Sequence, residues 1–209
     1  MTPGPRTSEG RAPRADARRN IDAILEAAIK CLSRDPDVSI AEIAIAAGVG
    51  RITLYGHFKN RAELIEAVLL RALDEADATL GQVDLSGDPV DALVRLTHSS
   101  WELVDRLRGV MFAARHELPA KRILTAHDRV MGHLAALVEH GQSDGTFRTD
   151  LPAPWLVTTA VSLMHAAAED VDSGRLKRSS AADHVAATLL AAYTAPGSAV
   201  PVISQRESS

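Results

Sequence analysis

Between Gly50 and Arg61 the chain carries Arg51, Thr53, Tyr55, His57, Lys59 and Arg61 and no acidic residue. Guanidinium, ammonium and hydroxyl groups on one short stretch are donors for anionic oxygens, and a guanidinium can also fork onto two acceptors at once. That chemistry suits recognition of a polyanion. No Gly-rich phosphate loop, G-x-S-x-G elbow or H-E-x-x-H pair is present. Eight histidines invite a metal reading, but His127, His133 and His140 recur at intervals of six and seven, so no pair has the i, i+4 spacing that puts two imidazoles on one ion. Cys31 is the one cysteine and has no partner nearby, and neither a metal nor a cofactor is expected.

The elements that must position these residues are helical. Residues 1–17 are rich in Pro, Gly and Arg and read as a flexible arm. From Arg18, Ile21, Ile24, Leu25, Ala28, Ile29 and Leu32 mark one apolar face of a helix, which Asp35-Pro36-Asp37 stops. Ser39 to Glu42 forms a capping box that starts a second, short helix ending at Ala47-Gly48. Gly48 stands where the chain must reverse, and Ile43, Ala44, Val49 and Leu54 supply the contacts between this helix and the next. Asn60 to Glu63 caps a longer helix to about Leu80, and Asp88-Pro89 opens another. Further helices are expected at about 89–107, 109–116, 119–140, 154–172 and 181–194, with Gly109 among the breaks. No period-2 strand pattern competes.

Composition sets bounds. The 209 residues are 46% hydrophobic, ample for a core, and the chain has no apolar run of membrane-spanning length or signal-peptide type, so a cytoplasmic location is expected. The net charge of −4 argues against a nucleic-acid partner until it is located. Residues 1–71 hold 11 basic and 9 acidic side chains, while residues 72–209 hold 12 and 18. The acidity belongs to the later part.

Two short helices joined by a glycine turn are the helix-turn-helix unit, whose second helix enters the major groove. Ile43-Ala44, Ala47-Gly48-Val49, Thr53-Leu54-Tyr55, His57-Phe58, Asn60-Arg61 and Leu64, in this order and spacing, resemble the DNA-binding domain of the TetR family of bacterial transcriptional regulators, over about Arg18 to Leu69. Gly141 to Asp150 is more weakly similar to the loop between the family's seventh and eighth helices. The resemblance implies an all-α fold: a helix-turn-helix domain over 18–62, a linking helix over about 61–80, a ligand-binding and dimerisation domain over 63–195, and a loose tail over 196–209. It implies that Arg51, Ile52, Thr53 and Gly56 face base edges and that Tyr55, His57 and Arg61 contact phosphate, with Ser39, Gly50 and Lys59 completing the DNA-binding set, while Phe58 is core. The chain departs from the family pattern at Gly50, where Ser is usual, and at Arg61, where Lys is commoner. Ile52 and Gly56 offer no hydrogen bonds to bases, which leaves direct readout to Arg51 and Thr53. Arg14, Arg18 and Arg19 fit either a solvated tail or an arm in the minor groove.

In the later domain Trp101, Met111, Phe112, His116, Trp155 and His165 are the candidates for lining a small-molecule site, the alternative for each being core or interface packing. The last two helices are rich in alanine, suited to close helix approach, and by the resemblance they build a homodimer. The expected function is a ligand-responsive regulator, a repressor that binds a palindromic double-stranded operator as a homodimer and is released by an unidentified small molecule, without membrane contact. Two other readings stand beside it. One is an all-helical enzyme, for which His116-Glu117 is the available acid/base pair; the other is a helix-turn-helix module that binds protein instead of DNA.

Overall fold

Caps and turns divide the chain into α1 (Ala12–Leu32), α2 (Ile40–Ala46), α3 (Arg51–His57), α4 (Arg61–Leu80), α5 (Pro89–Glu117), α6 (Ala120–Ser143), α7 (Ala153–Asp172) and α8 (Arg178–Tyr193). This is the architecture of a computed structural model that describes residues 12–202, with side chains from residue 16 onward; no strand occurs among the described residues. None of these helices is long and apolar enough to cross a membrane.

Helix boundaries differ in places from the sequence expectation. Helix α1 begins at Ala12, inside the stretch read as an arm. Pro13 falls in its first turn, where a backbone N–H has no intrahelical partner to lose. The earlier part of that stretch, with the basic arm's first residues, lies outside the described residues. Gly109, read as a break, lies inside the single helix α5. A Cβ at Gly109 would collide with the Leu32 carbonyl oxygen and lie 2.9 Å from its carbon, so this glycine lets α5 approach the end of α1. Because α5 is unbroken, the Gly141–Asp150 segment joins the sixth and seventh helices, and Gly141 itself is still helical. It is a packing glycine too: a Cβ there would overlap the ring of Phe147, which is buried edge-on to Tyr193 at a centroid distance of 5.6 Å.

The chain forms two compact units. The first comprises the described residues up to Ala72 together with Gly109–Ile123. Its core holds Ile24, Ala28, Leu32, Ile43, Leu54, Leu64, Ile65 and Val68, all without exposed surface. The second comprises Leu73–Arg108 and the described residues from Leu124 onward. Trp101, Leu93, Leu156, Phe147, Met164, Leu190 and Tyr193 are among the buried side chains of its core. Tyr193 donates from its hydroxyl to the Leu156 carbonyl at 2.7 Å, and burial pushes its ionisation upward, so it stays a neutral donor. Within this unit Arg129 bridges Asp74 and Asp77 of α4 at 2.9 and 2.6 Å, and His133 meets Asp77 at 3.0 Å.

Candidate nucleic-acid interface

The reversal between α2 and α3 is built by local chemistry. Ser39 accepts from the Glu42 backbone N–H at 3.2 Å while the Glu42 carboxylate accepts from the Ser39 N–H at 2.9 Å, the reciprocal capping box. The Ser39 hydroxyl, which donates to the same carboxylate at 2.6 Å, and then the Ser39 backbone N–H hold the Glu42 carboxyl below its usual range. At the other end Gly48 adopts φ +68°, the Val49 N–H reaches back to Ala44 O at 3.0 Å and the Gly48 N–H to Ile45 O at 3.0 Å, which satisfies two terminal carbonyls of α2. Only a residue without Cβ takes that φ freely. Ile43, Ala44 and Leu54 are buried where the two helices meet, and Val49 is half-buried.

Helix α3 is thus pinned through Leu54, its one buried residue, and Phe58 just beyond it is buried as well. Arg51, Ile52, Thr53, Tyr55 and Gly56 are exposed and His57 is half-buried. Lys59 follows as an exposed cation, with its backbone N–H held by Glu63 at 2.9 Å. Glu63 therefore caps one residue earlier than the Asn60–Glu63 pattern implied, while Asn60 accepts from the Glu63 N–H at 2.9 Å. Gly50 occupies the N-cap without a side-chain hydrogen bond. An open cleft between the start of α2 and α3 brings Ser39, Arg51, Tyr55 and Arg61 together, with Asp37 also on its wall.

Arg61 has a different setting from that implied by the resemblance. Its guanidinium donates to Val38 O at 2.5 Å and Pro36 O at 3.0 Å, and its Nε lies 3.0 Å from a Glu117 oxygen. It is committed to the loop ahead of α2 and to the end of α5, within the first unit. Sequence reading missed these partners because backbone carbonyls carry no residue-type signal. It missed Asp37 as well, although that residue stands two positions before the cap.

The six candidate ligand residues are not gathered in one unit. Met111, Phe112 and His116 belong to the first, where Phe112 is exposed and its ring lies against that of His116, tilted by 46° at a centroid distance of 4.5 Å. Trp101, Trp155 and His165 belong to the second. Trp101 is buried in its core, Trp155 is exposed, and the half-buried His165 meets His127 edge-on at a centroid distance of 6.4 Å.

A capped helix, a left-handed glycine turn and a second helix whose exposed face is basic and hydroxyl-bearing define a helix-turn-helix DNA-binding protein. Residues 24–68 match the model of the bacterial regulatory proteins of the tetR family. The chain is 30% identical over 153 residues to the HTH-type transcriptional repressor LfrR of Mycolicibacterium smegmatis, covering 73% of this chain and 79% of that one. It is 36% identical over 85 residues to the HTH-type transcriptional regulator TtgR of Pseudomonas putida, about 40% of each chain. The structure of LfrR in complex with proflavine superposes with a TM-score of 0.65 at 25% identity, over 82% of this chain and 94% of that one. The fatty acid degradation regulator FadR of Bacillus halodurans shares the fold, with a TM-score of 0.70 at 18% identity over 81% and 94% of the two chains. This chain belongs to the TetR family. It is a DNA-binding transcriptional regulator and not an enzyme.

Proposed function

We propose that the protein is a homodimeric repressor that sets α3 of each copy into the major groove of a palindromic operator and releases it when a small molecule binds the second unit. The observation that carries this is α3 itself, a helix fixed by Leu54 that turns Arg51, Thr53 and Tyr55 outward in a stretch without acidic residues. Arg51 and Thr53 suit base edges, and Tyr55, His57 and Lys59 suit phosphate. Ser39 and Gly50 stand beside them, at the starts of the two helices. The LfrR repressor and its proflavine complex support both the sign of regulation and the class of effector.

For the dimer, α7 and α8 leave Trp155, Ala166, Ala187 and Ala191 exposed while Ala160, Ala167, Ala181 and Ala186 face inward. Small residues on an outer face let a second copy approach closely, and two-fold pairing matches a palindrome. Trp155 then belongs to the face between copies, and Trp101 and His165 are left as ligand candidates in the second unit. The effector acts through α4, which Asp74 and Asp77 tie to α6 in the second unit and Arg61 ties to the α2 loop in the first. A ligand that binds one position of α4 more tightly shifts the population toward it. The regulator works in the cytoplasm, where its operator lies.

The test is fluorescence-anisotropy titration of the full chain against DNA selected from a random library, with sedimentation to give the stoichiometry. Saturable binding by a dimer to one sequence is expected at moderate salt. Equal binding to all sequences, or binding by a monomer, would sink the proposal.

A further inference from the structure

Ile52 is 91% exposed on a seven-residue helix, an unfavourable place for a β-branched apolar side chain. One turn further on the same face stands Gly56. Its φ is not positive, and a Cβ built on it meets nothing within 4 Å, so neither the backbone nor internal packing requires glycine there. Glycine inside a helix lowers its stability relative to alanine. Helix α3 thus carries two locally unfavourable residues side by side on its outward face. Together they form an apolar strip, low in profile at Gly56 and unable to hydrogen-bond through side chains, beside the polar Arg51, Thr53 and Tyr55.

The partner of α3 is DNA, and the absence of acid from Gly50 to Arg61 matches it in charge. In the major groove the edges of guanine, cytosine and adenine offer donors and acceptors, and thymine alone adds an apolar group, its C5 methyl. An isoleucine pressed on any other base edge would strip water from polar atoms and return no hydrogen bond. We infer that Ile52 is a specificity-determining residue that packs on a thymine C5 methyl, with Gly56 letting the helix backbone come close enough for that contact, so that each half-site holds an A·T pair at this point. The inference rests on the placement of α3 in the major groove.

The experiment uses the full chain and its Ile52→Ala variant, each put through selection from a random duplex library. Because Ile52 is exposed, the variant keeps the fold, which circular dichroism verifies. Each thymine of the selected half-site is then replaced by deoxyuridine, which removes the methyl and leaves every pairing atom in place. One replacement is expected to weaken the unsubstituted protein about fourfold, the transfer cost of roughly one buried methyl. The same replacement is expected to leave Ile52→Ala unaffected, and the variant's selected consensus to lose its thymine preference there. Deoxyuridine without effect at every thymine, or an equal loss in both proteins, overturns the assignment while sequence-specific binding stands. Enrichment of no sequence at all overturns the major-groove placement together with it.

Discussion

Replacing Arg61 separates two roles that the sequence leaves superimposed. Arg61→Ala removes the guanidinium hydrogen bonds to Val38 O and Pro36 O and the pair with Glu117, from a side chain that is 26% exposed. Hydrogen bonds from a charged donor contribute about 1.5–3 kcal/mol each when lost, and a partly exposed ion pair adds about 0–1 kcal/mol. Because the loop carbonyls regain some water, the expected net loss is about 2–4 kcal/mol. For a chain of this length that lowers the thermal midpoint by roughly 4–16 °C. Arg61→Lys keeps the charge but cannot fork to two carbonyls, so it should recover less than half of the loss. Glu117→Gln leaves both carbonyl bonds and should cost no more than about 1 kcal/mol. The assay pairs differential scanning calorimetry with anisotropy titrations on the selected operator across a salt series. A phosphate contact contributes about 0.9 to the slope of log affinity against log salt. The structure predicts a lowered midpoint and weaker binding with an unchanged slope. An unchanged midpoint with a slope smaller by about one would refute it and return Arg61 to the phosphates.

Other substitutions probe the remaining elements. Arg51→Ala should relax preference at one base pair, worth about 1–3 kcal/mol of discrimination, read by repeating the library selection with the variant. Gly109→Ala should destabilise by about 1–3 kcal/mol or more, because its Cβ meets the backbone of Leu32. Gly132→Ala, on the same scale of change but with open space around the new Cβ, should stabilise by a few tenths to about 1 kcal/mol in urea unfolding. Asp77 has its carboxyl held below the usual range by the His133 hydrogen bond first, and by Arg129. Its stabilising contribution is complete above the unfolded value of about 3.9 and is lost as pH falls through the lower folded value. The urea midpoint of Asp77→Asn should therefore change less with pH below about 4 than that of the unsubstituted protein.

How much was legible in the sequence depended on whether the signal was local. The capping box at Ser39, the glycine turn at Gly48 and the Asp88-Pro89 start all act within a few residues, and each appears where the pattern put it. Gly109 and Gly141 were misread for the opposite reason. A glycine that breaks a helix and one that admits a neighbour look alike until the neighbour is placed, here Leu32 and Phe147. Ile43 and Leu54 were identifiable as buried, since a short amphipathic helix has one inward face. The partners of Arg61 were not, because two are backbone carbonyls about two dozen residues away and the third, Glu117, lies at the end of another helix.

The charge distribution makes the salt series interpretable. The ion pairs along α4 are exposed or partly so: Glu66 with Arg122 in the first unit, Asp74 and Asp77 with Arg129 in the second. Such pairs contribute about 0–1 kcal/mol each and are screened over about 8 Å at physiological ionic strength. Salt therefore costs the fold little before it costs DNA affinity, which falls with every counterion that phosphate contacts had released. The acidic side chains after residue 71 lie mostly away from the helix-turn-helix in sequence and stay on the protein whether or not DNA is bound. A slope measured on the full chain consequently counts phosphate contacts. If Tyr55, being uncharged, holds phosphate only by its hydroxyl, Tyr55→Phe should weaken binding without altering that count, whereas Lys59→Ala should reduce it by about one.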